Sequence, residues 1–411
     1  MRETVVVVGA GQAGGMAVAL LRQSGYQGRV VLVGEEPVPP YQRPPLSKAY
    51  FKGEMTAERL YLRPLAFYEK NAIELRLGLR AEAINRDAKK VMLSDGSMLP
   101  YDKLILAVGS KPRQLPVPGN EYDGIFELRT LEDVDRLRSR AGSGKKMVIV
   151  GAGYIGLEAA AVARHLGMSV TVLEAAPRVL ARVTSPPVSE FFENEHRAKG
   201  VDIRLESQVA RFIGSEGRLV GVELTSGEVV EAGLALIGIG ILPNVGLAED
   251  AGLDCQDGIV VNEDGQSSDP DVFAIGDCTS RPLVHYDRMG RLESIHNAGE
   301  QAKLAASVIT GKPRPRCDVP WFWSDQYDLK LQSAGLSVGY DQLVLRGASD
   351  SRSFAIYYFK DHKCIAVDAV NSPADFMFGK ALLNAGEDLD ADMISSSDVD
   401  IKALTSKLGK R

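Results

Sequence analysis

Two glycine clusters stand out as places where chemistry could be held. Val5-Val-Val-Val-Gly9-Ala-Gly11-Gln-Ala-Gly14 and Val148-Ile-Val-Gly151-Ala-Gly153-Tyr-Ile-Gly156 each set Gly-x-Gly-x-x-Gly after an apolar, β-branched run. In that spacing the first glycine allows a tight turn and the second lets a pyrophosphate approach the backbone. The third lets a helix pack closely on its strand, so that phosphate charge rests on free N–H groups at the helix start. One such match alone is weak evidence, because glycine turns recur by chance. Two, each followed by a second apolar run ending in an acid, Glu35 or Glu174, read as dinucleotide sites in which the acid accepts hydrogen bonds from adenosine ribose hydroxyls. Glu174 would also repel a 2′-phosphate, by about 4 kcal/mol at ~4 Å in an effective dielectric of roughly 20. Ala175 and Ala176 offer no compensating cation, so NADH is expected over NADPH, with Arg178 and Arg182 the nearest positive charges in sequence.

Two dinucleotide folds in one chain imply two cofactors and something to join their chemistry. A flavin is the natural bridge, because it accepts a hydride and releases electrons singly. Ser268-Asp-Pro-Asp-Val-Phe-Ala-Ile-Gly276-Asp277 ends an apolar strand in Gly-Asp, where the glycine admits a cofactor chain and the Asp277 carboxylate can bind its hydroxyls.

The elements that must position these residues follow the same repeat. Each fingerprint opens an Ala/Leu-rich helical segment that stops at a glycine, Gly25 or Gly167, and a second strand follows over residues 29–33 or 169–173. This is the strand–helix–strand unit of a parallel sheet, present twice, and it predicts an α/β fold with two Rossmann-like domains. Asp95-Gly96 and Ser226-Gly227 read as hairpin turns of small antiparallel insertions. Residues 112–118 look like a crossover linker, and the basic, proline-containing 312–316 marks a further boundary. Residues 338–370 read mainly as strand, 387–400 as acidic solvated surface and 401–408 as a last short helix.

With 411 residues, 45% hydrophobic and 25% charged, the chain is long enough for two or three domains. The net charge of −6 gives no bulk attraction to nucleic acid or to an anionic membrane, and no apolar run is long enough to span a bilayer. A cytoplasmic protein is expected. Cys255, Cys278, Cys317 and Cys364 form neither a CxxC pair nor a zinc pattern, which suits a reducing compartment. Cys278 reads as a buried, inert thiol. The histidines show no ligand spacing, His165 and His196 read as helix-surface residues, and no metal is expected.

The assembled motifs resemble the FAD-dependent ferredoxin reductases of bacterial oxygenase systems, the putidaredoxin reductase type, essentially end to end. The matching stretches are Pro40-Tyr-Gln-Arg43-Pro-Pro-Leu-Ser-Lys48, Ala107-Val-Gly109-Ser-Lys-Pro112, the run from Gly151 to Glu158, Gly238-Ile-Gly240-Ile-Leu-Pro243-Asn244, Gly276-Asp277, Arg291-Leu-Glu-Ser294 with Asn297-Ala298, and Pro320-Trp-Phe-Trp323-Ser-Asp-Gln326. The first and last are far more specific than any glycine fingerprint. The resemblance implies a discontinuous FAD domain over 1–111 and 244–325, an NAD domain over 112–243 and a C-terminal α+β domain over 326–411. It implies that Lys48 lies near the reactive edge of the flavin, pairs with Glu158, and has Trp323 close by. Gly9, Gly11, Gly14, Glu35, Arg43, Ala107, Gly109 and Asp277 would complete the FAD site. Gly151, Gly153, Ile155, Gly156, Glu158, Glu174 and Gly240 would hold NADH. Hydride would pass to the flavin and electrons would leave one at a time to a [2Fe–2S] ferredoxin.

No cysteine precedes Cys255, so the thiol relay of disulfide reductases is not expected. An acidic ferredoxin would dock transiently on positive charge. Arg281, Arg288, Arg291, Lys303, Lys312, Arg314 and Arg316 outnumber Asp287, Glu293 and Glu300 in their stretch and form the candidate patch. Two alternatives stand beside this reading: a reductase for rubredoxin or a small quinone or radical acceptor, which would share the motifs, and a redox-sensing flavoprotein of apoptosis-inducing-factor type, which has a similar architecture.

Overall fold

The structure, a computed structural model, describes residues 3–395 and 400–408. Its contacts divide the chain into two compact units. One comprises Met1–Arg43, Ala57–Lys111 and Leu242–Pro320, and the other Pro44–Thr56, Pro112–Ile241 and Trp321–Arg411. The short Pro44–Thr56 stretch and the strand Trp321–Gln326 therefore group with the second unit, although the sequence reading set residues 44–56 and 321–325 within an FAD domain.

In the first unit, five parallel strands lie in the order Val272–Ala274, Lys103–Leu106, Thr4–Val8, Arg29–Gly34, Ile73–Leu77. The first strand of the chain sits at the centre, where both sheet faces are covered, and this is why it reads as an unbroken valine run rather than an alternating one. Val5 and Val7 pack on one side, against Ala17 and Leu21 of the helix Gln12–Gln23 and Ala298, Ala302 and Ala305 of the helix Ile295–Ile309. Val6 and Val8 pack on the other, with Leu93, Leu99 and Leu253. The predicted Asp95-Gly96 turn joins antiparallel strands Lys90–Leu93 and Met98–Pro100.

The second unit repeats the parallel arrangement: Asp202–Arg204, Ser169–Leu173, Lys146–Val150, Leu234–Ile237, Ile125–Phe126. Ser226-Gly227 turns an antiparallel hairpin here too. The helices Gln12–Gln23 and Tyr154–His165 both stop just before their glycines, and Gly25 and Gly167 take φ of +90° and +77°, which L side chains rarely adopt. The same unit carries a five-stranded antiparallel sheet, Trp321–Gln326, Leu329–Gly335, Lys363–Val370, Ser353–Lys360, Gln342–Ala348, covered by the helix Pro373–Ala385. The stretch 387–400 is mostly exposed where it is described, as expected of acidic surface, but Ala391–Ser395 is helical and buries Ile394, while 396–399 lie outside the described residues. The helix Ile401–Leu408 is present and buries Ile401. Among the described residues no helix is long and apolar enough to cross a membrane.

Candidate functional site

In the first unit, the fingerprint glycines perform three separable jobs. Gly9 has φ +110°, and a Cβ there would sit 2.2 Å from the carbonyl oxygen of Ala107. A Cβ on Gly14 would sit 1.9 Å from the oxygen of Gly9, so that glycine lets helix and strand touch. Gly11 has open space within 4 Å, forms the N-cap of Gln12–Gln23 and supplies no side-chain cap. The first-turn N–H groups have no intrahelical acceptor and stand toward that space. Gln12 adds a buried Oε1 with no hydrogen-bond partner. An uncapped helix start and a bare backbone fit the pyrophosphate of a dinucleotide such as FAD.

Around it, the buried Ala107 donates its N–H to Val8 O at 2.7 Å, and Gly109, at φ +64°, accepts at its carbonyl from Asn244 N at 2.9 Å. Asp277 follows Gly276 and accepts from Ser110 Oγ at 3.2 Å. Gly276 N donates at 2.7 Å to Gln301 Oε1, which also accepts from Thr279 Oγ1 at 3.0 Å and Asn297 Nδ2 at 3.1 Å. Glu35 is exposed at the strand end. Arg43 is held by its neighbour Glu36 at 2.8 Å and by Tyr41 Oη at 3.0 Å, with its guanidinium 5.0 Å above the Tyr41 ring.

The second unit repeats the cradle. Gly151 has φ +103°, a Cβ on Gly156 would lie 2.1 Å from Gly151 O, and Gly153 is an open, uncapped N-cap for Tyr154–His165. Ile155, in the first turn, is 43% exposed. Glu174 reaches back to the fingerprint, its carboxylate accepting from Ala152 N at 2.6 Å and Ala176 N at 2.9 Å. Gly240, at φ +107°, lies against the Arg182 guanidinium. Arg178 is turned away from this corner and donates to Thr184 O, Ser189 Oγ and Ala181 O. These residues fit a second dinucleotide.

Lys48 and Glu158 meet in this unit. Lys48 Nζ donates to Glu158 Oε2 at 2.6 Å, and the carboxylate is only 2% exposed. A buried carboxylate needs donors for its lone pairs. Two hydroxyls supply them: Ser47 Oγ donates to Oε2 at 2.5 Å and Ser324 Oγ to Oε1 at 2.6 Å. Tyr50 anchors the same stretch by donating to Asp135 at 2.7 Å, beneath the Arg138 guanidinium. Trp323, partly buried, stands beside Ser324 with its ring 5.6 Å from that of Trp321. The FAD set is thus divided: Lys48 and Trp323 lie in the second unit and the other expected residues in the first. The NAD set lies wholly in the second.

The sequence reading missed Ser47, Ser324, Gln326 and His196. The first three were visible inside quoted motifs but carried no chemistry of their own. His196 is a correction: it is fully buried, not on a helix surface. Val188, Phe192 and His196 recur every four residues on Pro186–Ala198, and that apolar face was the available signal. His165 is exposed, as expected. Part of the basic stretch is already held by neighbouring groups. Arg291 binds Asp257 and Glu293, Arg314 binds Asp264 and Glu263, and Arg281 donates to Asn297 Oδ1 at 2.9 Å. All four cysteines are free thiols, and burial pushes the Cys278 thiol up to about 12. Among the described residues no cluster of side chains could hold a metal.

The family pattern described as pyridine nucleotide-disulphide oxidoreductase matches residues 3–302, and a reductase C-terminal pattern matches 321–405. The chain belongs to the pyridine nucleotide-disulphide oxidoreductase family. Members use FAD and a nicotinamide nucleotide, and the chain is an FAD-dependent oxidoreductase. It is 44% identical over 403 residues to a probable ferredoxin reductase of Castellaniella defragrans, covering 98% of each. It is 43% identical over 408 residues to putidaredoxin reductase of Pseudomonas putida, covering 98% of this chain and 96% of that one. A rubredoxin-NAD(+) reductase of Pseudomonas putida is 39% identical over 90% of this chain and 96% of its own length. The crystal structure of the covalent putidaredoxin reductase–putidaredoxin complex matches with a TM-score of 0.97 at 42% identity, covering 100% of this chain and 99% of that one. No cysteine precedes Cys255 in this chain.

Proposed function

We propose that this protein takes hydride from NADH onto a bound FAD and passes electrons singly to a [2Fe–2S] ferredoxin that serves a monooxygenase or dioxygenase, in the cytoplasm. The observation that carries the reading is the pair of uncapped fingerprint helices in a chain that has no cysteine before Cys255. FAD, when bound, supplies the change from a two-electron donor to a one-electron acceptor.

The chain's own residues supply binding and alignment. Gly9, Gly11 and Gly14 would seat the FAD pyrophosphate, with Glu35, Arg43, Ala107, Gly109 and Asp277 along its length and Trp323 near its ring. Gly151, Gly153, Ile155, Gly156 and Gly240 would seat NADH, with Glu174 at the adenosine ribose, where its charge disfavours a 2′-phosphate. Lys48 would present a cation where negative charge develops, and Glu158 would hold that ammonium in place. The domains then read as FAD-binding over 1–111 and 244–325, NAD-binding over 112–243 and C-terminal over 326–411, with residues 44–56 reaching toward Glu158.

Two of the relatives described above are named for ferredoxin-type acceptors at 43–44% identity, ahead of the rubredoxin reductase at 39%, and this favours ferredoxin. Stopped-flow reduction by NADH and by NADPH, followed by titration with a [2Fe–2S] ferredoxin and with rubredoxin, tests donor and acceptor together. Rapid bleaching of the flavin by NADH and one-electron transfer to ferredoxin are expected. Protein that stays colourless after incubation with FAD, or reduced protein that passes electrons only to rubredoxin, would overturn the reading.

A further inference from the structure

Beyond Ser324, the hydrogen bonds at Glu158 continue. Ser324 Oγ spends its one proton on Glu158 Oε1, so it can only accept from Gln326 Nε2, at 3.2 Å. That orients the amide. Gln326 Oε1 must then be the acceptor toward His196 Nε2 at 2.8 Å, which places the imidazole proton on Nε2 and leaves Nδ1 to accept from Tyr327 Oη at 3.1 Å. Every donor along Tyr327, His196, Gln326 and Ser324 therefore points the same way, and the row ends on the carboxylate that holds Lys48. The reverse polarity would need a proton on Glu158, against the ammonium 2.6 Å from its other oxygen.

Burial makes the row consequential. Ser324 and His196 are 0% exposed, Gln326 1% and Glu158 2%, so no water replaces a lost partner. Burial also holds His196 well below its ordinary value, at about 4, so the ring carries the single proton that the polarity requires. The elements explain the alignment: Ser324 and Gln326 share one face of the strand Trp321–Gln326, two residues apart, and Tyr327 opens the turn to Leu329–Gly335 at φ +57°. His196 comes from the helix Pro186–Ala198.

We propose that Ser324, Gln326 and His196 are positioning residues, a one-way hydrogen-bond row that fixes the Glu158 carboxylate and through it Lys48. This rests on the reading of Lys48 and Glu158 as the pair at the hydride-transfer site. The row acts on geometry, so it governs the rate at which bound NADH reacts rather than how tightly it binds.

Two readouts on the FAD-loaded protein test it. Histidine 15N NMR of the resting oxidised protein is expected to show His196 as the neutral Nε2–H tautomer, and to show that signal move in Ser324→Ala. In stopped flow, Ser324→Ala and Gln326→Leu are expected to lower the rate at saturating NADH by about tenfold, with the NADH dissociation constant within about twofold of the parent. Ser324→Thr, which keeps the hydroxyl, is expected to recover most of that rate. His196→Gln, which can still donate to Gln326 Oε1, covers the case in which Ser324→Ala fails to fold, and is expected to keep more rate than His196→Leu. A proton on Nδ1 of His196, or an unchanged rate in both Ser324→Ala and Gln326→Leu, would overturn the proposal. A parent protein that NADH does not reduce would instead refute the functional reading, and the tautomer would still decide whether the row exists.

Discussion

Lys48 Nζ and Glu158 Oε2 lie 2.6 Å apart although 110 residues separate them in sequence, and the carboxylate is 2% exposed while the lysine keeps 19%. Removing one member of such a pair leaves a charge that water barely reaches. Lys48→Met is expected to cost about 2–3 kcal/mol of stability, somewhat less than a fully buried pair because the lysine is partly solvated and Ser47 and Ser324 still donate. Thermal unfolding checks it: the double variant Lys48→Met, Glu158→Gln should melt closer to the parent than Lys48→Met alone. Additive losses would show that the two do not act as a pair.

The fingerprint glycines separate into structural and ligand-facing positions. A Cβ on Gly153 meets nothing within 4 Å, whereas one on Gly156 would sit 2.1 Å from Gly151 O. Gly153→Ala should therefore keep the parent melting temperature while weakening NADH binding at least tenfold, a loss of about 1.4 kcal/mol or more. Gly156→Ala should lower the melting temperature itself. Equal loss of stability in both would sink the distinction.

Acid should weaken the fold through His196. Its ordinary value of 6.5 falls to about 4 on burial, so below pH 6.5 the unfolded chain takes up a proton that the folded one refuses. The contribution is complete above pH 6.5, fades as pH falls toward 4 and is gone below that, amounting to about 3 kcal/mol in all. Denaturant titrations from pH 7 to 4 should show a shallower decline in His196→Gln than in the parent.

Cys278 should resist alkylation. Burial raises its thiol to about 12, and Cys364 likewise to about 12, so almost no thiolate forms at pH 8. Mass spectrometry after iodoacetamide should find both unmodified in native protein and modified after unfolding. Rapid native labelling of Cys278 would contradict its burial.

For the docking surface, Lys303 is the cleaner probe. It is exposed on the helix Ile295–Ile309, whereas Arg314 is already tied to Asp264 at 2.6 Å and Glu263 at 3.0 Å. Lys303→Glu is expected to slow cytochrome reduction through ferredoxin several-fold and to leave ferricyanide reduction unchanged. Parallel losses in the two assays would remove Lys303 from the docking surface.

Much of this protein was legible in the residues alone, because the features concerned are local. A run such as Val5–Val8 followed by three spaced glycines dictates strand, turn and helix within about a dozen residues, and it does so twice. Gly25, Gly167, Asp95-Gly96 and Ser226-Gly227 ended helices and turned hairpins where their backbone freedom required. Tertiary structure alone decided which distant groups meet. The approach of Ser47, Lys48 and Ser324 to one carboxylate, the pairing of Arg314 and Arg291 with acids elsewhere, and the burial of His196 beside Gln326 are contacts between segments tens to more than a hundred residues apart. Nothing in a local pattern encodes such partners, since a serine or histidine reads the same whether it faces water or a buried charge. Only the packing of strand Trp321–Gln326 against helices Tyr154–His165 and Pro186–Ala198 turns those ordinary residues into a single aligned row.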